Sequence, residues 1–209
     1  FFADAISQQG SETYLTDSPT RALNYVLRQP LGTVGTITPW NLPLYLLTWK
    51  VAPALAAGHC VVAKPSEITP MTAYLLSQIC QEAGLPPGVL NLVHGGGSTT
   101  GTALVNHSRI KAISFTGSTA TGRTIARSCG ENLKKVSLEL GGKNPTIIFA
   151  DCHWEQALTN TLRAAFSNSG QICLCGSRIF IEASIYDRFK TELAERARAL
   201  KVGDPRLRD

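Results

Sequence analysis

Three side chains in this sequence are of the types that carbonyl chemistry needs, and each lies in a segment of unusual composition. Cys173 sits in Gly170-Gln-Ile-Cys-Leu-Cys-Gly176, Glu139 in Val136-Ser-Leu-Glu-Leu140 ahead of Gly141-Gly142, and Asn41 between Trp40 and Leu42-Pro43. A cysteine thiolate attacks carbonyl carbon, a carboxylate takes a proton from water, and a side-chain amide stabilises an oxyanion. Each also has an ordinary alternative. A single cysteine is commonly a small buried hydrophobe, the reading that also holds for Cys60 and Cys152. Strand alternation puts Ser137, Glu139 and Gly141 on the face opposite Val136, Leu138 and Leu140, an ordinary solvent-facing position. Asparagine near proline is a turn residue.

The elements that must position these groups follow from hydrophobic period. From about residue 33, short runs rich in Val, Ile and Ala alternate with amphipathic segments. Strands are expected at 33–38, 60–64, 89–94 and 111–115, with helices at 44–57, 71–83, 101–106 and 118–129, and beyond that alternation a further strand at 134–140. Such alternation predicts an α/β fold, a doubly wound parallel Rossmann-like sheet with right-handed crossovers. A domain boundary near Gly141 divides residues 1–140 from 141–209. In the latter, strands at 146–149 and 177–181 and helices at 154–167 and 184–200 begin a second α/β domain. Residues 12–28 suit a hairpin.

Open parallel sheets bind ligands beyond the carboxyl ends of their strands. Four consecutive strand ends here carry distinctive loops: Pro39-Trp-Asn-Leu-Pro43, Lys64-Pro-Ser-Glu67, His94-Gly-Gly-Gly97 and Thr116-Gly-Ser118. Singly, each is weak. Ser66 could N-cap a following helix with Glu67 complementing its dipole, and three glycines could be a turn without the G-x-G-x-x-G spacing. Gly117-Ser-Thr-Ala-Thr-Gly-Arg-Thr124 nearly spells a P-loop, yet Arg123 stands where that motif needs lysine.

Composition removes several other classes. The 209 residues are 44% hydrophobic and 17% charged, which excludes disorder of the whole chain. The net charge of +5 comes mostly from one C-terminal stretch, residues 188–209, with seven basic against four acidic side chains. Leu193, Ala194, Ala197 and Leu200 recur there at helical spacing, so the charges read as a solvated helix face rather than a nucleic-acid groove. The longest apolar run, residues 42–58, is broken by Thr48, Lys50 and two prolines, too short and too polar for a membrane span. Six cysteines lack paired C-x-x-C spacing, which predicts no metal site, reduced thiols and a cytoplasmic setting. Phe1 and the Ala-Asp-Ala-Ile that follows show no leader pattern, as in a chain entered partway through.

Taken in order, Pro39-Trp-Asn-Leu-Pro, Lys64-Pro-Ser-Glu, Phe115-Thr-Gly-Ser, Glu139-Leu-Gly-Gly-Lys-Asn-Pro and Gly170-Gln-Ile-Cys resemble the aldehyde dehydrogenase superfamily over nearly the whole chain. The runs Leu27-Arg-Gln-Pro-Leu-Gly and Leu42-Pro-Leu-Tyr-Leu-Leu-Thr-Trp-Lys, with Ile172-Cys-Leu-Cys, are most similar to its branch acting on 2-aminomuconic and 2-hydroxymuconic semialdehydes.

The resemblance implies that Cys173 is the nucleophile, Asn41 an oxyanion donor together with the Cys173 backbone N–H, and Glu139 the base that hydrolyses a thioester. It implies NAD as cofactor, with Lys64 and Glu67 at the adenosine ribose, Ser118 at the pyrophosphate, Thr116 near the nicotinamide and Trp40 in the channel. Thr38, Pro39, Ser66, Gly97, Gly101, Phe115, Gly117 and Leu140 complete the implied cofactor contacts. A carboxylate at Glu67 repels a 2'-phosphate and so favours NAD over NADP. The implied partners are a small aldehyde and, for an intact protein, further copies of itself. Arg21, Arg28 and Arg163 are candidate anchors for a substrate carboxylate. The chain carries no later Glu-Ile-Phe-Gly-Pro type motif, and it reads as an internal fragment. Two other functions use the same residues: a non-redox cysteine acyl transfer or esterase through Cys173 and Glu139, and a chain that catalyses nothing.

Overall fold

Each apolar run is joined to the next by a helix rather than a tight turn, and strands so connected pair in parallel. The computed structural model describes residues 1–204 and Arg206. A short helix α1 (Phe2–Ser7) leads into an antiparallel hairpin of β1 (Thr13–Thr16) and β2 (Ala22–Tyr25), the hairpin expected between residues 12 and 28. There follow β3 (Thr33–Ile37), α2 (Pro43–Ala56), β4 (Cys60–Lys64), α3 (Met71–Glu82), β5 (Leu90–Leu92), α4 (Thr102–Asn106), β6 (Ile110–Gly117), α5 (Thr119–Glu131) and β7 (Lys135–Leu140). The five strands from β3 onward form one sheet in the order β5-β4-β3-β6-β7, every neighbouring pair parallel. The chain moves outward from β3 through β4 to β5 and then returns to β6 on the other side of β3. That reversal is a topological switch point, where a crevice opens at the strand ends.

Alternation along the strands gives the sheet two apolar faces, each covered by helices. Val34, Val61 and Ala63 pack with Leu47 and Val51 of α2 and Ala73 of α3. Ile110, Ile113 and Phe115 pack with Leu104 and Val105 of α4 and with Ile125 and Cys129 of α5 on the other. Leu47, Ile113, Val61 and Cys129 are almost fully buried, each contributing about 1.5–3 kcal/mol for the larger side chains. Helix α2 begins with Pro43 in its first turn, where the missing N–H costs nothing. Helix α5 begins at Ser118, whose hydroxyl accepts from the Thr121 N–H at 3.2 Å. Helix α3 corrects one alternative: it begins at Met71, and Ser66 instead accepts from the Ile68 N–H at 3.3 Å inside a tight turn.

Contacts divide the chain into two compact units, Phe1–Leu140 and Gly141–Asp209. The second holds β8 (Pro145–Ile148), α6 (Trp154–Phe166), β9 (Arg178–Ile181) and α7 (Tyr186–Arg198), with β8 and β9 paired in parallel. Its core is Ile148, Leu158 and Phe189, the last meeting Trp154 edge to face at 5.4 Å between ring centres. Among the described residues no helix is long and apolar enough to cross a membrane.

Candidate functional site

In the first unit, the ends of β3, β4 and β6 open onto a cavity of about 310 Å³. Thr38, Pro39 and Trp40 enter from the loop after β3, and Lys64, Ser66 and Glu67 from the turn after β4. Gly97 and Gly101 come from the turn leading into α4, and Phe115, Thr116, Gly117 and Ser118 from the end of β6. These loops are distant in sequence but adjacent in the sheet, because β3 separates β4 from β6. Of the cofactor contacts implied by the motifs, only Leu140 lies elsewhere. Its side chain joins the core beside α5, where a Cβ on Gly122 would come within 2.5 Å of Leu140 Cδ2, so this helix glycine admits it.

The cavity is polar where its walls are buried. Lys64 is 3% exposed, and its Nζ donates to the Pro65 carbonyl at 3.0 Å and to Glu67 Oε2 at 3.4 Å. The Glu67 carboxyl is held below the usual carboxylate range by its own backbone N–H and then by the Lys64 charge. Glu67 is 57% exposed, so this pair orients the carboxylate more than it stabilises the fold. Thr38 and Thr116 are buried cavity residues whose hydroxyls have no hydrogen-bond partner. Buried hydroxyls are normally satisfied, and a polar ligand in the cavity would satisfy both. Ser118 adds the N-terminus of a thirteen-residue helix, a backbone site suited to an anion.

Past these loops the cavity continues between α4 and α5, along Thr102, Val105 and Asn106 on one side and Thr121, Thr124, Ile125 and Ser128 on the other. Sequence reasoning missed this slot. The signal was available in the i, i+3, i+4, i+7 spacing of 121, 124, 125 and 128, which places all four on one helix face.

The three chemistry-bearing residues lie outside the cavity lining. Asn41 is half-buried in the loop between β3 and α2. Glu139 is exposed on β7, paired with Thr116 of β6. A further residue faces this region: Lys50 of α2, 6% exposed, donates from Nζ to Ser114 Oγ at 2.9 Å. Burial pushes its ammonium below the usual lysine value, and the Glu139 charge pulls it partly back. In the sequence Lys50 is legible only as an interruption of an apolar run.

In the second unit, Cys173 is exposed on the loop between α6 and β9. Asn168, Ser169 and Gly170 before it hold φ of 51°, 56° and 73°, and the two that are not glycine each cost about 1–2 kcal/mol. The loop is fastened by Asn144, whose Nδ2 donates to the Cys173 carbonyl at 2.6 Å and to the Cys175 carbonyl at 3.4 Å. Close packing fixes its other end, since a Cβ on Gly176 would lie 2.1 Å from Thr146 Oγ1. Asn144 was not singled out in the sequence as the fastening of this loop, although it belongs to the Glu139-Leu-Gly-Gly-Lys-Asn-Pro motif. Arg21 pairs with Asp17 beside the hairpin turn, Arg21, Arg28 and Arg163 are all exposed, and none of the three lines the cavity. No group of three metal-ligating side chains is present among the described residues.

A crevice at the switch point of a doubly wound sheet, walled by loops from consecutive strands, places the first unit in the class of Rossmann-like cofactor domains. The chain matches the aldehyde dehydrogenase family over residues 1–209 and belongs to it. It is 54% identical over 211 residues to a 2-aminomuconic 6-semialdehyde dehydrogenase of a Pseudomonas species, covering 100% of this chain and 43% of that protein. It is 53% identical over 205 residues to a 2-aminomuconic semialdehyde dehydrogenase of Danio rerio, covering 98% of this chain and 42% of that one. The solved NAD+ complex of an aldehyde dehydrogenase from Bacillus cereus matches with a TM-score of 0.93 at 40% identity, over 97% of this chain and 41% of that one. The chain therefore spans less than half the length of these relatives.

Proposed function

We propose that this chain supplies the cofactor cradle, general base and nucleophile for NAD-dependent oxidation of an aldehyde to the carboxylic acid, with a muconic-type semialdehyde as substrate. The observation that carries the cofactor reading is the convergence of Thr38, Lys64, Glu67, Thr116 and Ser118, from the ends of three neighbouring strands, on one cavity. In this reading Glu67 accepts from the adenosine ribose hydroxyls beside Lys64, and the α5 N-terminus at Ser118 receives the pyrophosphate. Trp40, Pro39 and Phe115 wall the channel, and Gly97, Gly101 and Gly117 let the backbone come close. When bound, NAD supplies the hydride acceptor. The substrate preference rests on the resemblance to the semialdehyde enzymes named above.

The Cys173 thiolate attacks the aldehyde carbon to give a thiohemiacetal, whose oxyanion takes hydrogen bonds from the Asn41 amide and the Cys173 N–H. A donor of this kind contributes about 3 kcal/mol. Oxidation leaves a thioester on Cys173. Glu139 then deprotonates a water that attacks the thioester carbonyl, releasing the acid and regenerating the thiol. The exposed apolar side chains of the hairpin, Tyr14, Leu15, Leu23 and Tyr25, support self-association of the whole protein.

The test is NADH appearance by near-ultraviolet absorbance on adding an unsaturated semialdehyde and NAD, with Cys173→Ala alongside. Expected are turnover that disappears in the variant and a marked preference for NAD over NADP. Ester cleavage without NADH formation would favour the non-redox alternative. Equal efficiency with NADP would refute the role given to Glu67.

A further inference from the structure

The Cys173 loop divides its backbone groups between two sides. The Cys175 N–H donates to the Ile172 carbonyl at 3.0 Å, closing a four-residue turn with Cys173 and Leu174 at its centre. Neither central residue has a positive φ, and a hydrogen-bonded turn without positive φ is type I. Its central residues are nearly helical, so the Cys173 and Leu174 N–H groups share one direction and the Cys173 carbonyl takes the opposite one. The carbonyls of Cys173 and Cys175 both accept from Asn144 Nδ2, at 2.6 and 3.4 Å. Among the described residues, neither the Cys173 nor the Leu174 N–H has an acceptor.

Asn144 is itself held in place. Its carbonyl accepts from the Arg178 N–H at 3.2 Å where β8 meets β9, and Arg178 Nε donates to the neighbouring Lys143 carbonyl at 2.8 Å. The side-chain amide has one orientation, because its two partners are carbonyl oxygens and can only accept. A half-turn would set Oδ1 against the Cys173 oxygen and replace two bonds by a repulsion.

We infer that Asn144 is a positioning residue for the attack on the aldehyde: by drawing the Cys173 and Cys175 carbonyls to one side of the turn, it holds the Cys173 and Leu174 N–H groups free on the other to receive the developing oxyanion. The inference rests on the cysteine mechanism proposed above and adds the Leu174 N–H to its donors. Donors fixed before the reaction stabilise an oxyanion without reorganising. The Cys173 carbonyl and the Leu174 N–H belong to one peptide group, so the bond from Asn144 also polarises that N–H and strengthens it as a donor.

The test is the first-turnover rate of NADH formation, read by rapid-mixing absorbance with NAD and an unsaturated semialdehyde, in the unaltered chain, Asn144→Ala and Asn144→Asp. Aspartate has nearly the shape of asparagine, but its carboxylate cannot donate. Both variants should slow the first turnover about tenfold at neutral pH, with KM for the aldehyde within about twofold. In Asn144→Asp the deficit should shrink as pH falls toward about 5, where a carboxyl facing two carbonyls regains its proton and donates; in Asn144→Ala it should persist. A role in packing alone would spare the isosteric variant and give no such pH dependence. Circular dichroism establishes that each variant is folded. An unchanged first turnover in Asn144→Asp at neutral pH, or a raised KM at an unchanged maximal rate, would overturn the inference while leaving the cysteine mechanism intact. No Cys173-dependent NADH from the unaltered chain would overturn both.

Discussion

The cavity of the first unit and the Cys173 loop of the second are built on opposite principles. The cavity is assembled by topology: β3, β4 and β6 end side by side, so short loops separated by scores of residues converge without any of them being strained. Its polar groups are prearranged, as with buried Lys64 held against Pro65 and the more exposed Glu67. The Cys173 loop is assembled locally, from a left-handed run at 168–170, a fastening side chain from Asn144 and a backbone packed against Thr146. The difference follows from the tasks proposed for them. A cradle for a large ligand needs many fixed directions, which rigid strand ends supply. A nucleophile needs one atom held in reach of its target, which a constrained loop on the surface supplies at a cost in backbone strain.

Glu139 stands on the cradle side of this comparison while the chemistry proposed for it belongs to the nucleophile. Glu139→Gln removes the base without changing shape. It should lower steady-state turnover about a hundredfold and leave the first turnover fast, so that a burst of NADH appears and the thioester accumulates on Cys173. Rapid-mixing absorbance and intact-mass measurement check this. Loss of the burst itself would put Glu139 before the thioester and break the assignment.

The independence of the two regions is tested by Asn144→Ala. Losing the 2.6 Å bond to the Cys173 carbonyl removes about 1 kcal/mol of local order. Alkylation of Cys173 by iodoacetamide should change by about fivefold, and NAD affinity should not move. A parallel loss of NAD binding would mean that the loop and the cradle are coupled.

The cradle was more legible in the sequence than the loop, for a physical reason. Strand period and helix punctuation place strand ends, and ligand chemistry follows strand ends in this topology, so Lys64, Glu67, Thr116 and Ser118 could be grouped before any coordinates. Helix faces were legible in principle, but the 121, 124, 125, 128 face of α5 serves both as wall of the slot and as contact to the core, and period alone does not separate the two. The fastening of the Cys173 loop was not legible. It depends on φ values at Asn168 and Ser169, residues that adopt many conformations, and on an Asn144 bond to a backbone carbonyl that leaves no pattern in the side chains. Leu140 shows the converse limit: a motif position need not place its side chain in the cavity, and here the side chain fills the space left by Gly122.

The smallest effect concerns Lys50, where the comparison is sharpest because a single buried charge links the core to Glu139. Its ammonium is pushed down by burial, with Ser114 Oγ as hydrogen-bond acceptor and the Glu139 charge as partial compensation. A lysine whose folded value lies below its unfolded one makes the native state less stable while it is charged, and that penalty fades as pH rises toward the ordinary value of 10.5. Lys50→Met keeps the length of the side chain and removes the charge. At neutral pH the variant should therefore melt higher, by about 1 kcal/mol or about 3 °C for a chain of this size, and the gap should narrow as pH rises toward 10.5. Scanning calorimetry at several pH values reads both. A variant that melts lower would mean that Ser114 and Glu139 more than offset the burial, making Lys50 a structural tie; a higher melting point with slower turnover would mark a charge retained at the expense of stability to hold the field around Glu139.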